Sequence, residues 1–358
     1  MLCLECKNCK IRLYTSFEPE LEKIWKDFYQ KYGGRYNSSF EWCYIWFKYF
    51  GEGKKLNIIT ITANNSLHVI APFYIKKNTL YLIGSVPELY DEFYILHNET
   101  SYLETLINYI IENNFLIDFK NINSNALFSK ILFRKLEQTK DYSMIIYNFG
   151  PKLSTTPEVN FRSNIRSDVS RRKTKLKKAI GEESKIDYDL EKKAEFIDEM
   201  IKFHKIRWNG GQFCTIANYE KFLKELYFDS DMTVLCRMYL PSTNTTLAYQ
   251  FAYIDSTGKV LTYINVFQKD FADYSPSKVL SYEFLKEFLR RGYNNIDMGR
   301  GSEDYKYAFS NEYTTLYNLK TKYSWKRHKK LFSFLKTTRD FIKKKIYLRD
   351  SEKNPVGS

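Results

Sequence analysis

One stretch constrains this chain more than any other. From Thr262 to Phe309 the sequence TYINVFQKDFADYSPSKVLSYEFLKEFLRRGYNNIDMGRGSEDYKYAF reads as strand, turn, helix, strand and loop. Tyr263, Asn265 and Phe267 alternate with Ile264 and Val266, the period of a strand with one face on a core. Ser275-Pro276-Ser277 then breaks the strand and opens a helix, with proline just inside the start. Val279, Leu280, Phe284, Leu285, Phe288 and Leu289 recur at helical spacing, and Gly292 closes that helix. Asn294 to Met298 predicts a short strand, and Gly299-Arg300-Gly301 a turn that lets the backbone pass close to something.

A strand that feeds a helix N-terminus presents unpaired N–H groups and the positive end of a dipole, a ready site for a phosphate or pyrophosphate. Ser275, Pro276, Ser277 and Lys278 would form it, with Lys278 adding charge. The same turn also suits an ordinary βαβ packing unit. Asp297 closes a strand, Glu303 follows six residues on, and Tyr305-Lys306 come next. Either carboxylate could take a proton or orient an amine, or bond its own turn. Upstream, His204 and Arg207 lie three apart on one helical face, a base near neutrality beside a fork for carboxylate or phosphate. Trp208 suits a core or a sugar-stacking platform.

Charge is concentrated in two places. The net charge is +14. Residues Arg162 to Lys178 hold 8 Lys/Arg against one acid, and Lys320 to Arg349 hold 12 against one, so the rest of the chain is net acidic. Local anionic contacts follow rather than a protein basic all round. On the first of these helices Arg162 and Arg166 share a face. The second interleaves Leu331, Phe332, Phe334, Leu335, Phe341 and Ile342 with its lysines, a basic amphipathic helix for anionic lipid or nucleic acid, or for packing on the domain.

Hydrophobic residues make up 44% and aromatics 17% of 358 residues, enough for two sizeable cores. No apolar run approaches a membrane span, and the N-terminus has no signal-peptide pattern, so a cytoplasmic location is expected, with peripheral contact at the inner face of an anionic membrane through Lys320 to Arg349. Cys3, Cys6 and Cys9 are evenly spaced but lack a fourth ligand nearby, so no metal is expected. In the first half, helices are expected near residues 19–32, 40–50, 102–112 and 127–136, and strands near 11–14, 56–63, 67–75, 79–83, 115–119 and 142–149. Asn64-Asn65 marks a hairpin. Gly150 to Pro157 is the most linker-like stretch. Beyond it come the basic helix, a strand at 185–190, helices at 193–208 and 219–226, strands at 233–239, 246–254 and 260–267, and a last strand near 316–323. The predicted class is α/β (α+β), with mixed sheets flanked by helices.

Four separated segments resemble the BioF2-like (CelD/BcsL-type) acyltransferases of the GNAT superfamily. They are Phe161 to Lys178, His204-Lys205-Ile206-Arg207-Trp208, the Ser275-Pro276-Ser277 turn, and Asp297-Met298-Gly299-Arg300-Gly301-Ser302-Glu303-Asp304-Tyr305-Lys306. Ser277 stands where that family often has glycine. The resemblance implies tandem GNAT-like domains, over residues 1–150 and 151–324, each with a mostly antiparallel mixed sheet, followed by the basic helix and tail at 325–358. It implies acyl-CoA, acetyl-CoA first, held at Ser275 to Lys278 and along the strand at Val266. It implies Asp297, His204, Glu303 and Lys306 as catalytic groups, and Arg162, Arg166, Arg207, Trp208, Arg300 and Tyr305 as acceptor contacts. The expected reaction is N-acylation of a sugar or cell-envelope polysaccharide precursor, nucleotide- or lipid-linked. A Fem-like transferase drawing its acyl group from aminoacyl-tRNA for a peptidoglycan-type precursor is the alternative. A non-enzymatic nucleic-acid-binding module is the third reading, and no nucleic-acid-binding motif supports it.

Overall fold

The structure, a computed structural model, describes residues 9–139, 142–157, 159, 161 and 163–323. The first half runs β1 (Cys9–Tyr14), α1 (Pro19–Tyr32), α2 (Phe40–Phe50), β2 (Lys55–Ala63), β3 (Ser66–Lys76), β4 (Thr79–Leu82), β5 (Leu96–His97), α3 (Ser101–Glu112), β6 (Leu116–Asn123), α4 (Leu127–Gln138) and β7 (Tyr142–Thr155). Local chemistry sets the ends. Pro19 opens α1, and Ser39 caps α2 by accepting from the Trp42 N–H at 3.2 Å. Asn64 and Asn65, both at positive φ, turn β2 into β3 as the sequence predicts.

The second half runs α5 (Ser163–Ile180), β8 (Lys185–Asp187), α6 (Ala194–Arg207), α7 (Gln212–Thr215), α8 (Tyr219–Asp229), β9 (Thr233–Leu240), β10 (Thr245–Ile254), β11 (Lys259–Phe267), α9 (Pro276–Arg290), β12 (Asn295–Arg300), α10 (Asp304–Phe309) and β13 (Glu312–Tyr323). One mixed sheet takes the order β1-β2-β3-β4-β6-β13-β7-β12-β11-β10-β9-β8, with β5 paired to β3. Its parallel pairs among the described strands are β4–β6 and β11–β12. The expected α/β class, a large mixed sheet flanked by helices, is what the chain adopts.

β13, the last described strand, inserts between β6 and β7 and so belongs to both halves. This overturns the linker reading of Gly150 to Pro157. Gly150 through Thr155 continue β7, with Gly150 opposite Leu316 and Ser154 opposite Glu312. Glycine and proline signal a turn locally, but pairing with a distant strand outweighs that preference. Lys320 to Tyr323 likewise end a strand, and the rest of the basic C-terminal run lies outside the described residues.

The sheet's two faces carry different cores. On β10, Tyr249, Phe251 and Tyr253 pack into the larger core with α6, α8 and the first half. Ala248 and Ala252 point the other way, under α5 and α9. Those small residues let α9 lie close to the strands. The halves are joined by packing: Tyr36 stacks on Tyr253 with centroids 4.4 Å apart, and Trp42 meets Phe222 edge-on.

Candidate active site

β11 and β12 pair only from Lys259–Asn295 to Leu261–Asp297. Beyond that point each follows another neighbour. β11 stays with β10 as far as Phe267–Ala248, while β12 stays with β7, from Ile296–Thr155 to Arg300–Lys152. The strands therefore diverge, and the gap opens into a cleft of about 1490 Å³. Its walls are the far half of β11, the end of β12, the first turns of α9, the end of α6, α10, and Glu88 to Asp91 from the first half.

α9 aims its N-terminus at this cleft. Ser275, at φ 49°, lets the chain swing from the preceding turn into Pro276. Asn265 on β11 fixes the helix to the strand, donating to Ser281 Oγ at 2.9 Å, Gln250 Oε1 at 2.8 Å and the Ser277 carbonyl at 3.3 Å. α5 clasps the same turn. Arg172 donates to Ser275 Oγ, and Asp168 receives Lys278 Nζ at 2.7 Å and Arg172 Nε at 2.9 Å. Burial would raise the Asp168 carboxyl, but bonds from Lys278, Arg172 and Arg171 hold it well below the usual range. Lys278, expected as a free phosphate-binding charge, is thus already matched by a carboxylate. Val266 is fully buried, and the residues flanking it, Asn265 and Phe267, line the cleft instead.

The α6 end forms another wall. His204 packs between Trp208 and Phe213, with centroids at 4.6 and 4.7 Å. Its Nδ1 is buried and has no hydrogen-bond partner among the described residues. Burial, then the charge of Arg207, lowers its pKa to about 4, so the ring is neutral at physiological pH. Arg207 lies over the Trp208 ring at 4.3 Å and the Phe267 ring at 4.5 Å. Tyr305 is exposed on the same cleft.

Several expected site residues lie off the cleft or have their charge already matched there. Asp297 is fully buried and does not line the cleft. It receives Arg35 at 3.0 Å, Lys152 at 2.8 Å and the Gly299 N–H at 2.9 Å. Arg35 also meets Asp255 at 3.3 Å, and Lys152 also bonds Glu92. A carboxylate so enclosed holds the halves together and has no route to an amine. Arg300 lines the cleft but is held by Asp91, Glu88 and Asn121. Lys306 is buried and donates to the Arg300 carbonyl and to Glu303. It braces the loop, so it does not present its charge to a substrate. Glu303 is the more accessible of that pair, on the cleft wall. Arg166 sits on the outer face of α5, beside a separate shallow groove. Arg162 lies outside the described residues, as do Cys3 and Cys6.

Glu88, Asp91, Gln250, Asn265 and Phe267 line the cleft and went unrecognised in the sequence. Asp91 is what the Gly299-Arg300-Gly301 backbone passes: it accepts from the Arg300 N–H at 3.3 Å, and a Cβ on Gly299 would lie 3.6 Å from it. The loop bearing Asp91 is anchored across the halves, since the Asp91 N–H donates to Tyr36, the ring stacked on Tyr253.

Residues 163–307 match the family model described as acetyltransferase (GNAT) domain. Among solved structures, L-PGS from Bacillus licheniformis superposes with a TM-score of 0.55 at 12% identity, over 90% of this chain and 96% of that one. FemX gives 0.59 at 11% identity, over 86% and 96%. The C-terminal domain (DUF2156) of a putative lysylphosphatidylglycerol synthetase from Agrobacterium fabrum gives 0.53 at 8%, over 84% and 90%. No curated protein matches the chain by sequence. The matched segment, about two fifths of the chain and built around diverging strands and a helix N-terminus, has a GNAT-type acyltransferase fold. The chain is an acyltransferase, and its fold is similar to that of the L-PGS and FemX structures over most of its length.

Proposed function

We propose that the chain is an acyl-CoA-dependent N-acyltransferase, with acetyl-CoA as donor and an amino group of a sugar or cell-envelope polysaccharide precursor as acceptor. One observation carries this reading: the α9 N-terminus opens onto the gap between β11 and β12, inside the segment that matches the acetyltransferase family model. The acceptor class rests on the sequence resemblance.

Each part of the cleft has a task in such a transfer. Pro276 has no N–H, and the Lys278 and Val279 N–H groups donate to the Ser275 carbonyl, so the Ser277 N–H and the positive end of the α9 dipole are what suit the donor's phosphates. Beyond Leu261, β11 has lost its pairing with β12, so its cleft-side N–H groups are available to an oxyanion. The acceptor amine must lose a proton as it attacks the thioester carbonyl. The C–S bond then breaks, and the thiolate leaves to be protonated. Neutral His204 and the carboxylates of Glu88, Asp91, Glu303 and Asp304 are the groups lining the cleft that can take that proton. Asp297 is not among them.

The Fem-like reading, with aminoacyl-tRNA as donor, keeps one specific support. Arg166, Arg171, Lys175 and Lys178 line a groove on α5, the helix that clasps the α9 turn. The deciding experiment titrates acetyl-CoA and bulk tRNA into the protein: CoA binding that tolerates salt supports the first donor, and tRNA binding without CoA binding replaces it.

A further inference from the structure

Four cationic side chains line the cleft among the described residues: Arg207, Lys278, Arg300 and Lys306. Three are matched by carboxylates. Lys278 has Asp168 at 2.7 Å, Arg300 has Asp91 and Glu88, and Lys306 has Glu303 at 3.0 Å. Arg207 has no carboxylate within ion-pairing distance among the described residues. Its contacts are aromatic: Trp208 at 4.3 Å and Phe267 at 4.5 Å.

That setting is informative. Aromatic contacts orient a guanidinium and leave its N–H edges for ligands in its own plane. Arg207 is solvent-exposed at the cleft mouth, and the ring faces packed on its guanidinium remove part of its hydration without supplying a counter-charge, which lowers its pKa. An anion would relieve that cost. Burial keeps the neighbouring His204 neutral, so it adds no competing positive charge. Space is also left: a Cβ on Gly210, three residues on, would meet nothing within 4 Å. On the acyl-transfer reading, the donor's phosphates are assigned to the α9 turn, apart from Arg207.

We propose that Arg207 is the receptor for an oxyanion, a carboxylate or a phosphate, carried by the acyl acceptor. The inference rests on the acyl-transfer reading above and narrows it: the acceptor is an amine that also bears an acid group. Arg207 grips that group edge-on, and the amine is presented to the gap between β11 and β12. Neutral amines of the same shape bind weakly.

Three amino sugars test this: glucosamine, muramic acid, which adds a carboxylate, and glucosamine 6-phosphate. Each is titrated by calorimetry into the full chain, first saturated with CoA and then without it. The wild type, Arg207→Gln and Arg207→Lys are compared, with melting curves to confirm that the variants fold. The expected result is that at least one anionic sugar binds roughly 10- to 100-fold more tightly than glucosamine, the range of a charge-assisted hydrogen-bond pair. That advantage vanishes in Arg207→Gln, is partly kept in Arg207→Lys, and CoA affinity stays unchanged. Whichever sugar gains decides between carboxylate and phosphate. Equal affinities for the three sugars, binding of none, or an Arg207→Gln variant that loses CoA while the sugar ratio persists overturns the proposal. Failure of the wild type to bind CoA counts against the donor reading alone, because the titrations without CoA still test Arg207.

Discussion

Replacing Arg35 by methionine is predicted to be far more damaging than replacing Asp297 by asparagine, although Asp297 is the more deeply buried residue. Both belong to one buried cluster: Arg35 and Lys152 against Asp255, Asp297 and Glu92. Arg35→Met leaves Lys152 alone among three carboxylates. Removing one partner from a buried ion pair costs about 3–5 kcal/mol, because the other charge stays buried without compensation. For domains of this size that corresponds to a fall in melting temperature of about 6–20 °C. Asp297→Asn instead leaves two matched pairs, Arg35 with Asp255 and Lys152 with Glu92. Its cost is that of lost charge-assisted hydrogen bonds, about 1–3 kcal/mol. Thermal melts and urea titrations of the two variants and the double variant read this directly. The double variant should cost less than the sum of the singles, since the residues touch. An Asp297→Asn protein that melts as low as Arg35→Met contradicts the reasoning. So does an Asp297→Asn protein that melts normally but transfers no acyl group, which would return Asp297 to catalysis.

Further outcomes follow from other parts of the structure. Burial alone would raise the Glu92 carboxyl, but Lys152 and Arg35 pull it from an ordinary 4.5 to about 2. Its contribution to stability is therefore present above about pH 4.5 and lost as pH falls toward 2, which acid denaturation of Glu92→Gln against wild type will show as a shallower decline. His204 titrates near 4 rather than at its ordinary 6.5, so if it is the base, the acid limb of the pH–rate profile lies near pH 4, and a limb near 6.5 that disappears in His204→Gln contradicts its buried, neutral state. Asp168→Asn frees Lys278 and Arg172 beside the α9 turn, so CoA should bind several-fold more tightly at low salt, with the gain fading at high salt. Gly299→Ala has room for its methyl group but must adopt φ 73°, so equilibrium unfolding should register a loss of about 1 kcal/mol.

Much of the fold was legible because it is encoded locally. The apolar stripe Val279, Leu280, Phe284, Leu285 and Phe288 is the face that α9 buries, and Pro276 is its first residue. The alternation at Ile264 and Val266 gives the buried side of β11. What could not be read was strand order. Nothing in residues 312–323 says that they pair with β6 as well as β7, and Gly150-Pro151 argued for a break where the strand continues. The site shows the same division. The α9 turn and the His204–Trp208 segment carry local signatures, and the structure brings them to one cleft. Asp297 carried a signature too, but its partner Arg35 is 262 positions away, so no local pattern reveals that its charge is already occupied. Asp91 was missed for a related reason. It stands in a first-half loop with no motif, and only the folded chain puts it against Gly299.

The most direct test of the central claim is a calorimetric titration of acetyl-CoA into the wild type and Ser277→Asp, at low and at high salt, with bulk tRNA titrated alongside. Micromolar acetyl-CoA binding with weak salt dependence is expected, abolished when a carboxylate is placed at the α9 N-terminus. No acetyl-CoA binding, with tRNA binding that collapses as salt rises, would contradict that claim.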